Sequence, residues 1–292
     1  MKQLVILSGK GGTGKTSITA SFAALSKNFI LVDADVDAAD LHLVTSPEIL
    51  STHDFIAGQE AEINPDLCEG CGNCKDLCRF DAIMEQDETY TVDPYACEGC
   101  GLCARYCPTD AIAMNPVVSG QWFKSETKNG PFYHAKLGIA ADNSGKMVAT
   151  IREQASNAAQ ENGQDLVIID GPPGIGCPVI ASLTGCDLVF VITEPTPSGL
   201  HDLQRVTELA HHFKIPVLSA VNKADLDDEM TEKIEKYCEE NNIRTLGRIP
   251  FDPAFVKSMI NKVSIVEYSS GAGAMAVRNI WQKVNYQLEL EN

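Results

Sequence analysis

The chain has no uninterrupted apolar run approaching the ~18–20 residues that a bilayer-spanning helix needs. Nor does it have a charged-then-apolar leader: Met1-Lys2-Gln3 leads straight into a buried-strand pattern that ends at a glycine-rich loop. A signal peptide is therefore not expected, and the cytoplasm is the expected location. Positive charge is scarce, with 23 Lys and Arg against 40 Asp and Glu, a net charge of −17. A nonspecific nucleic-acid surface would need clustered Lys and Arg to displace counterions, so nucleic acid is not an expected partner. Between Glu60 and Pro116 stand twelve acidic and three basic residues, so much of the excess falls on one segment. Such a segment could face a basic partner or serve only solubility.

Cysteine, by contrast, is plentiful. Of eleven, eight fall into two near-copies of one motif. The first is Cys68-Glu69-Gly70-Cys71-Gly72-Asn73-Cys74, closed by Cys78; the second is Cys97-Glu98-Gly99-Cys100-Gly101-Leu102-Cys103, closed by Cys107 and Pro108. Residues 68–83 and 97–112 match at ten of sixteen positions, and both end in Asp-Ala-Ile. The Cys-x2-Cys-x2-Cys spacing lets three thiolates wrap one iron–sulfur cube while a fourth arrives from a distance. Zinc would favour paired Cys-x2-Cys knuckles with four ligands per site. Secreted chains use such numbers for disulfides, but cluster spacing in a cytosolic setting favours reduced thiols. The segment 62–115 resembles a bacterial two-cluster ferredoxin, departing from it by Arg79 where proline is usual. In that family the fourth cysteine of each run serves the other cluster. The resemblance thus implies two 4Fe–4S sites, one of Cys68, Cys71, Cys74 and Cys107, the other of Cys97, Cys100, Cys103 and Cys78.

Upstream, Gly9-Lys10-Gly11-Gly12-Thr13-Gly14-Lys15-Thr16 fits the phosphate-loop pattern. Small residues let successive backbone N–H groups face phosphates at a helix N-terminus. Gly9, Gly11, Gly12, Thr13, Gly14, Thr16 and Ser17 are the expected cradle, with Lys15 reaching the β- and γ-phosphates and Thr16 binding Mg2+. The extra Lys10 makes the loop similar to that of the MinD/ParA/nitrogenase iron protein group. By that resemblance Lys10 reaches the nucleotide of a partner subunit in an ATP-dependent homodimer. Asp33-Ala34-Asp35 resembles the group's first switch, which positions Mg2+ and the attacking water; which aspartate does which stays open. Asp170 matches the Walker B carboxylate, and Gly171-Pro172-Pro173-Gly174 the second switch. The expected catalytic set is Lys10, Lys15, Asp33, Asp35 and Asp170, with Asp33, Asp170 and Thr16 around Mg2+. Asn222-Lys223-Ala224-Asp225 has the form of the guanine reader of GTPases, yet in the resembled group an asparagine there contacts adenine. With Pro250-Phe251-Asp252 resembling a loop over the base, Asn222, Asp225, Pro250 and Asp252 are expected around ATP.

Short apolar runs at 3–7, 29–32, 166–169, 188–192 and 217–221 alternate with helical segments near 15–26, 145–162, 199–213 and 228–241. This pattern predicts an α/β fold, a mostly parallel sheet covered by helices on both faces. Length and the 44% hydrophobic content suit a domain of about 235 residues carrying a small insert. The expected boundaries are 1–60 and 117–292 for the P-loop ATPase domain, and 61–116 for an α+β ferredoxin-like insert. Residues 117–140 are expected to return the chain to the sheet, and 272–288 to form a last helix.

The whole chain resembles MinD-superfamily ATPases that carry an inserted ferredoxin domain; Asn143-Ser144-Gly145-Lys146, Asp170 to Pro178 and Thr193 to Gly199 add to the match. Cys177, seven positions after Asp170, matches in spacing a cysteine that ligates the bridging cluster of the nitrogenase iron protein. That protein's other cluster cysteine has no counterpart, since 134–165 hold none. Cys177 is thus a candidate bridging ligand or a small residue at a helix start, while Cys186 and Cys238 read as plain thiols and His211-His212 as helix-end residues.

Three functions compete. The first is an ATPase whose dimer switch gates electron transfer from the insert's clusters to a redox or metalloprotein client. The second is metallocluster assembly or delivery through Cys177. The third, ranked last, is a MinD/ParA-type positioning ATPase: residues 276–292 set Arg278 and Lys283 against Glu289, Glu291 and the terminal carboxylate, not the basic amphipathic helix of a membrane anchor.

Overall fold

The computed structural model describes residues 1–87, 89–138 and 143–290. Residues 139 and 140 of the returning segment, and Glu291 of the tail, lie outside them. The strands are β1 (Lys2–Leu7), β2 (Phe29–Asp33), β3 (Glu48–Ile63), β4 (Ile83–Gln86), β5 (Thr89–Val92), β6 (Ile112–Thr127), β7 (Gly130–Leu137), β8 (Leu166–Asp170), β9 (Leu188–Thr193), β10 (Val217–Asn222) and β11 (Arg244–Ile249). The helices are α1 (Lys15–Leu25), α2 (Leu41–Thr45), α3 (Asn73–Leu77), α4 (Leu102–Arg105), α5 (Ser144–Asn162), α6 (Cys177–Leu183), α7 (Pro197–His212), α8 (Asp228–Glu240), α9 (Ala254–Ile260), α10 (Ile265–Tyr268) and α11 (Ala272–Leu290).

The large sheet runs β11-β10-β9-β1-β8-β2-β7-β6-β3. From β11 to β7 the pairings are parallel. Strands buried on both faces must be apolar throughout. Accordingly Leu166 to Ile169 and Leu188 to Ile192 are continuous apolar runs with every residue buried. β1 lies between β8 and β9, so the chain order reverses there, and the loop after β1 opens into the crevice that such a reversal creates.

The expected α/β P-loop architecture is therefore present, with three strands beyond the expected set at the β3 side. Residues 117–138 are largely strand rather than a plain return: β6 and β7 occupy them. β3 and β6 each run 16 residues with mixed burial, a pattern that apolar runs do not reveal. β11 was not expected either, because Arg244 and Arg248 interrupt its apolar positions.

The chain divides into two compact units. The first comprises Met1–Thr52, Trp122–Lys136 and Ser144–Asn292; the second comprises His53–Gln121 and Leu137–Asn143. In the first unit, α11 closes the core with Ala274, Val277, Ile280, Trp281, Val284 and Leu288. Phe22 of α1 meets Phe190 of β9 at 5.4 Å and Trp281 at 4.9 Å between ring centroids. Arg278 and Lys283 donate to the carbonyls of Val266 and Leu246, so both tail cations serve as internal ties.

In the second unit, β4 and β5 pair antiparallel from Ile83↔Val92 to Gln86↔Thr89. Each cysteine triplet ends in one short helix, α3 or α4. The left-handed backbone positions Gly70, Gly72 and Asp81 recur in the second copy as Gly99, Gly101 and Asp110. Gly99 is further constrained, because a Cβ there would lie 2.1 Å from the Gln59 carbonyl oxygen.

Truncating a buried phenylalanine removes transfer energy and leaves a cavity. Phe22→Ala is expected to cost about 3–5 kcal/mol in urea unfolding followed by circular dichroism. A loss under about 1 kcal/mol would mean that the three rings do not organise this core.

Candidate nucleotide site and cysteine cages

The parallel register sets the electrostatics of the first site. On β2 and β8, Asp33 and Asp170 are register partners, both at strand C-terminal ends and almost fully buried. Burial, and next the charge of Asp170, pushes the Asp33 carboxyl well above its ordinary range, against the pull of Lys15. Lys15 answers the pair with its Nζ 2.9 Å from Asp170 Oδ2. That contact is a buried ion pair, and no further acceptor among the described residues meets the ammonium. Thr16 donates to Asp170 Oδ2 at 2.8 Å, and Thr19 donates to Oδ1 at 2.7 Å.

Asp33 and Asp35, which the sequence left interchangeable, stand differently. Asp33 accepts the Asp35 N–H at 3.1 Å and the Leu41 N–H at 3.2 Å. Asp35 is half-buried; burial raises its carboxyl from 3.8 to about 6, with Lys15 pulling it down and Asp170 pushing it up.

The loop itself needs its glycines. Gly12 and Gly14 have φ of 80° and 96°. A Cβ on Gly9 would meet Asp202 Cβ at 1.9 Å, and one on Gly14 would meet Asn222 Nδ2 at 2.4 Å. Gly11 is open and exposed. Thr13 donates to the Lys10 carbonyl at 3.0 Å, and Ser17 donates to Met259 Sδ at 3.5 Å.

The expected base-side residues hold the loops to one another. Asn222 donates to the Thr13 carbonyl at 2.8 Å. Asp225 Oδ1 accepts the Phe251 N–H at 2.6 Å, tying the Pro250-Phe251-Asp252 loop to the end of β10. Asp252 accepts the Ala254 N–H at 2.9 Å, and Pro250 is half-buried beside it.

Glu194 is the functional candidate that sequence reasoning missed. Its Oε1 lies 2.7 Å from Lys10 Nζ and its Oε2 3.2 Å from Lys223 Nζ. Ser198 also receives Lys10 at 3.0 Å, and Lys223 reaches the Gly12 carbonyl at 3.1 Å. Burial opposes ionisation of Glu194, but the hydrogen bonds and charges of the two lysines outweigh it and hold the carboxyl below its ordinary value. Its position just after β9 was a usable signal; nothing in the sequence names the lysines that it meets.

In the second unit the cysteines gather into two cages. Cys68, Cys71, Cys74 and Cys107 line one cavity, with Ile63, Tyr90 and Ile112. Cys78, Cys97, Cys100 and Cys103 line the other, with Leu77, Val92 and Met114. All are free thiols, and Cys107 Sγ accepts the Ala111 N–H at 3.3 Å. No group of three or more His, Cys, Asp or Glu among the described residues is arranged to hold a metal ion. Cys177, exposed at the start of α6, packs against Gly145, whose Cβ would lie 3.2 Å from its own. Cys186 and Cys238 are buried; burial pushes the Cys186 thiol up to about 12.

The nucleotide-binding domain model of the CobQ/CobB/MinD/ParA family matches residues 4–265. The uncharacterised protein MJ0578 of Methanocaldococcus jannaschii is 34% identical over 290 residues, 97% of this chain and 96% of that one. The septum site-determining protein MinD of Bacillus subtilis is 24% identical over 292 residues, covering 96% and 88%. Among solved structures, the septum site-determining MinD of Pyrococcus horikoshii, complexed with Mg-ADP, superposes with a TM-score of 0.58 at 18% identity, covering 100% of this chain and 98% of that one.

These matches overturn the leading functional expectation. Relatives with a stated role include septum site-determining proteins, so electron transfer gated by the dimer switch, and metallocluster delivery through Cys177, give way to the MinD/ParA-type reading. Tail charge had ranked that reading last, yet α11 is a core helix whose cations are used internally, so its charge says little about the switch. No helix among the described residues is long and apolar enough to cross a membrane.

The raised Asp35 carboxyl has a definite pH sign. Its folded value of about 6 exceeds 3.8, so the fold disfavours the ionised form. That penalty is absent below about pH 4, grows as pH rises to about 6, and is complete above it. Nucleotide-free Asp35→Asn should therefore be more stable than wild type at pH 7, with the difference shrinking toward pH 4 in parallel melts. A constant or reversed difference counts against this placement of Asp35.

Proposed function

The chain belongs to the CobQ/CobB/MinD/ParA nucleotide-binding domain family, and from that membership we propose that it is a Mg-ATP-dependent switch ATPase of the MinD/ParA type. ATP closes a homodimer and hydrolysis reopens it. The observation that carries the reading is the Lys15 ammonium: buried at the N-terminus of α1, with Asp170 against it and no further acceptor on it among the described residues. An ammonium has three donors, so one met on a single side can take a second anion. Backbone N–H groups of the glycine-rich loop meet the same anion, so the pair suits a polyphosphate.

In this reading Thr16 and Asp170 would hold Mg2+, with Asp33 beside them, and the ion would supply neutralisation of phosphate charge. Asp33 keeps its carboxylate on the Asp35 and Leu41 amides and fixes the first switch. Asp35, half-buried and with a raised carboxyl, is left to orient the attacking water. Lys10 exchanges Glu194 for the partner's nucleotide on dimerisation. Asn222 and Asp225 hold the loops around an adenine, with Pro250 and Asp252 at its edge. Relatives named for septum-site determination suggest that the switch governs where a partner is placed.

The same proposal takes residues 61–116 as a ferredoxin-like insert with two 4Fe–4S clusters. Such a cluster takes one thiolate per iron, so its ligands ring a cavity instead of converging on one ion. Cys68, Cys71, Cys74 and Cys107 would hold one, and Cys97, Cys100, Cys103 and Cys78 the other; each quartet lines one cavity here.

The switch is tested by mass in solution. Asp35→Ala should be dimeric with ATP and monomeric with ADP, and adding Lys15→Met should leave it monomeric with both. A mass indifferent to the nucleotide would rule the switch out. The clusters are tested separately by iron per chain, purified anaerobically: about eight atoms are expected, and about four after Cys74→Ser. An iron-free wild type would discard the clusters and leave the switch standing.

A further inference from the structure

Asp170 has three polar partners, and they do not share one fate when nucleotide binds. Lys15 and Thr16 are the groups that the proposed function assigns to phosphate and Mg2+. Thr16 would meet the metal through an oxygen lone pair while its proton stays on Asp170 Oδ2, so this partner, like Lys15, belongs to the ligand side of the carboxylate. Thr19 is different. It lies one turn further into α1, is fully buried, and donates to Asp170 Oδ1 at 2.7 Å. Its hydroxyl is also 3.0 Å from the Lys15 carbonyl. With a single proton to give, the nearer and charged oxygen takes it.

We propose that Thr19 is a positioning residue for the metal site: its hydroxyl fixes one oxygen of Asp170 throughout the nucleotide cycle and so presents the other to Mg2+. This inference rests on the reading of Asp170 as a Mg2+ carboxylate. The spacing favours it, since Thr16 and Thr19 lie three residues apart and meet opposite oxygens of one carboxylate. Partners that orient a ligating carboxylate without touching the metal typically matter 10–100-fold in affinity or activity.

The test is a Mg2+ titration of ATP hydrolysis by wild type, Thr19→Val and Thr19→Ser, with ATP binding measured in EDTA alongside. Thr19→Val keeps the shape and removes the donor. It should raise the Mg2+ concentration for half-maximal hydrolysis about 10-fold or more, leave metal-free ATP affinity within about twofold, and be rescued by Thr19→Ser. A purely structural role would lower the melting temperature without moving the Mg2+ midpoint, and that result overturns the inference. If Thr19→Val does not fold, Thr19→Cys replaces it; a midpoint there equal to that of Thr19→Ser is equally adverse. If wild-type hydrolysis shows no Mg2+ dependence at all, the parent reading of Asp170 fails, and this inference with it.

Discussion

Two carboxylates side by side at the ends of neighbouring parallel strands are an electrostatic problem that the rest of the site is arranged around. The β2–β8 register makes Asp33 and Asp170 partners, and strands in a sheet lie only about 4.8 Å apart. Each is buried beyond the reach of screening water, and burial beside Asp170 pushes Asp33 toward its neutral form. Lys15 offsets one, two backbone amides hold the other, and two threonine hydroxyls take the remaining lone pairs. Two carboxyl groups against one ammonium leave the cluster short of positive charge, which is the physical reason to expect a divalent cation there. The apolar strands above it supply the rigidity, because a slip of one residue in β8 would reverse the face on which its side chains lie.

The second unit solves a different problem. Its hydrophobic core among the described residues is small: Ala61, Cys74, Ile83 and Ile112, with partly buried neighbours that include four further cysteines. A core so meagre usually needs a covalent or metal staple. The repeated backbone sets its thiols in two quartets. The left-handed glycines of each copy turn the chain so that three thiols face inward, and the fourth comes from the other copy. Tyr90 stands over Gly72, where a Cβ would lie 3.2 Å from its hydroxyl, so even the β4–β5 hairpin is fitted to the first cage.

Much of this was legible from residues alone, for identifiable reasons. Fully buried parallel strands must read as continuous apolar runs, so β1, β2, β8, β9 and β10 stood out. β3 and β6 did not, because Ser51, Glu60 and Gln121 alternate with apolar positions along strands exposed on much of their length. At the nucleotide site the motif named Lys10, Lys15, Thr16 and Asp170 but not their partners. Glu194 and Thr19 are defined by what they touch across long stretches of sequence, 151 residues in the case of Thr19. The functional ranking erred on a related point: a count of charges in the tail ignored that Arg278 and Lys283 point their donors at main-chain carbonyls.

The three lysines of the site divide by burial, and burial decides which of them can move. Lys15 is 7% exposed beside a carboxylate that is 1% exposed, so taking it away from all anions would leave uncompensated charge in the interior. It can only exchange one anion for another within the site. Lys10 and Lys223 are 39% and 30% exposed on a shared Glu194. Ion pairs so open to water are worth at most about 1 kcal/mol each. A triphosphate can outbid one carboxylate for either lysine at small cost, since water and Ser198 soften the loss for Lys10, and the Gly12 carbonyl for Lys223. One buried cation and two half-exposed ones around a single loop suit the proposed switch: the first would anchor the nucleotide, and the second and third could change partner with it.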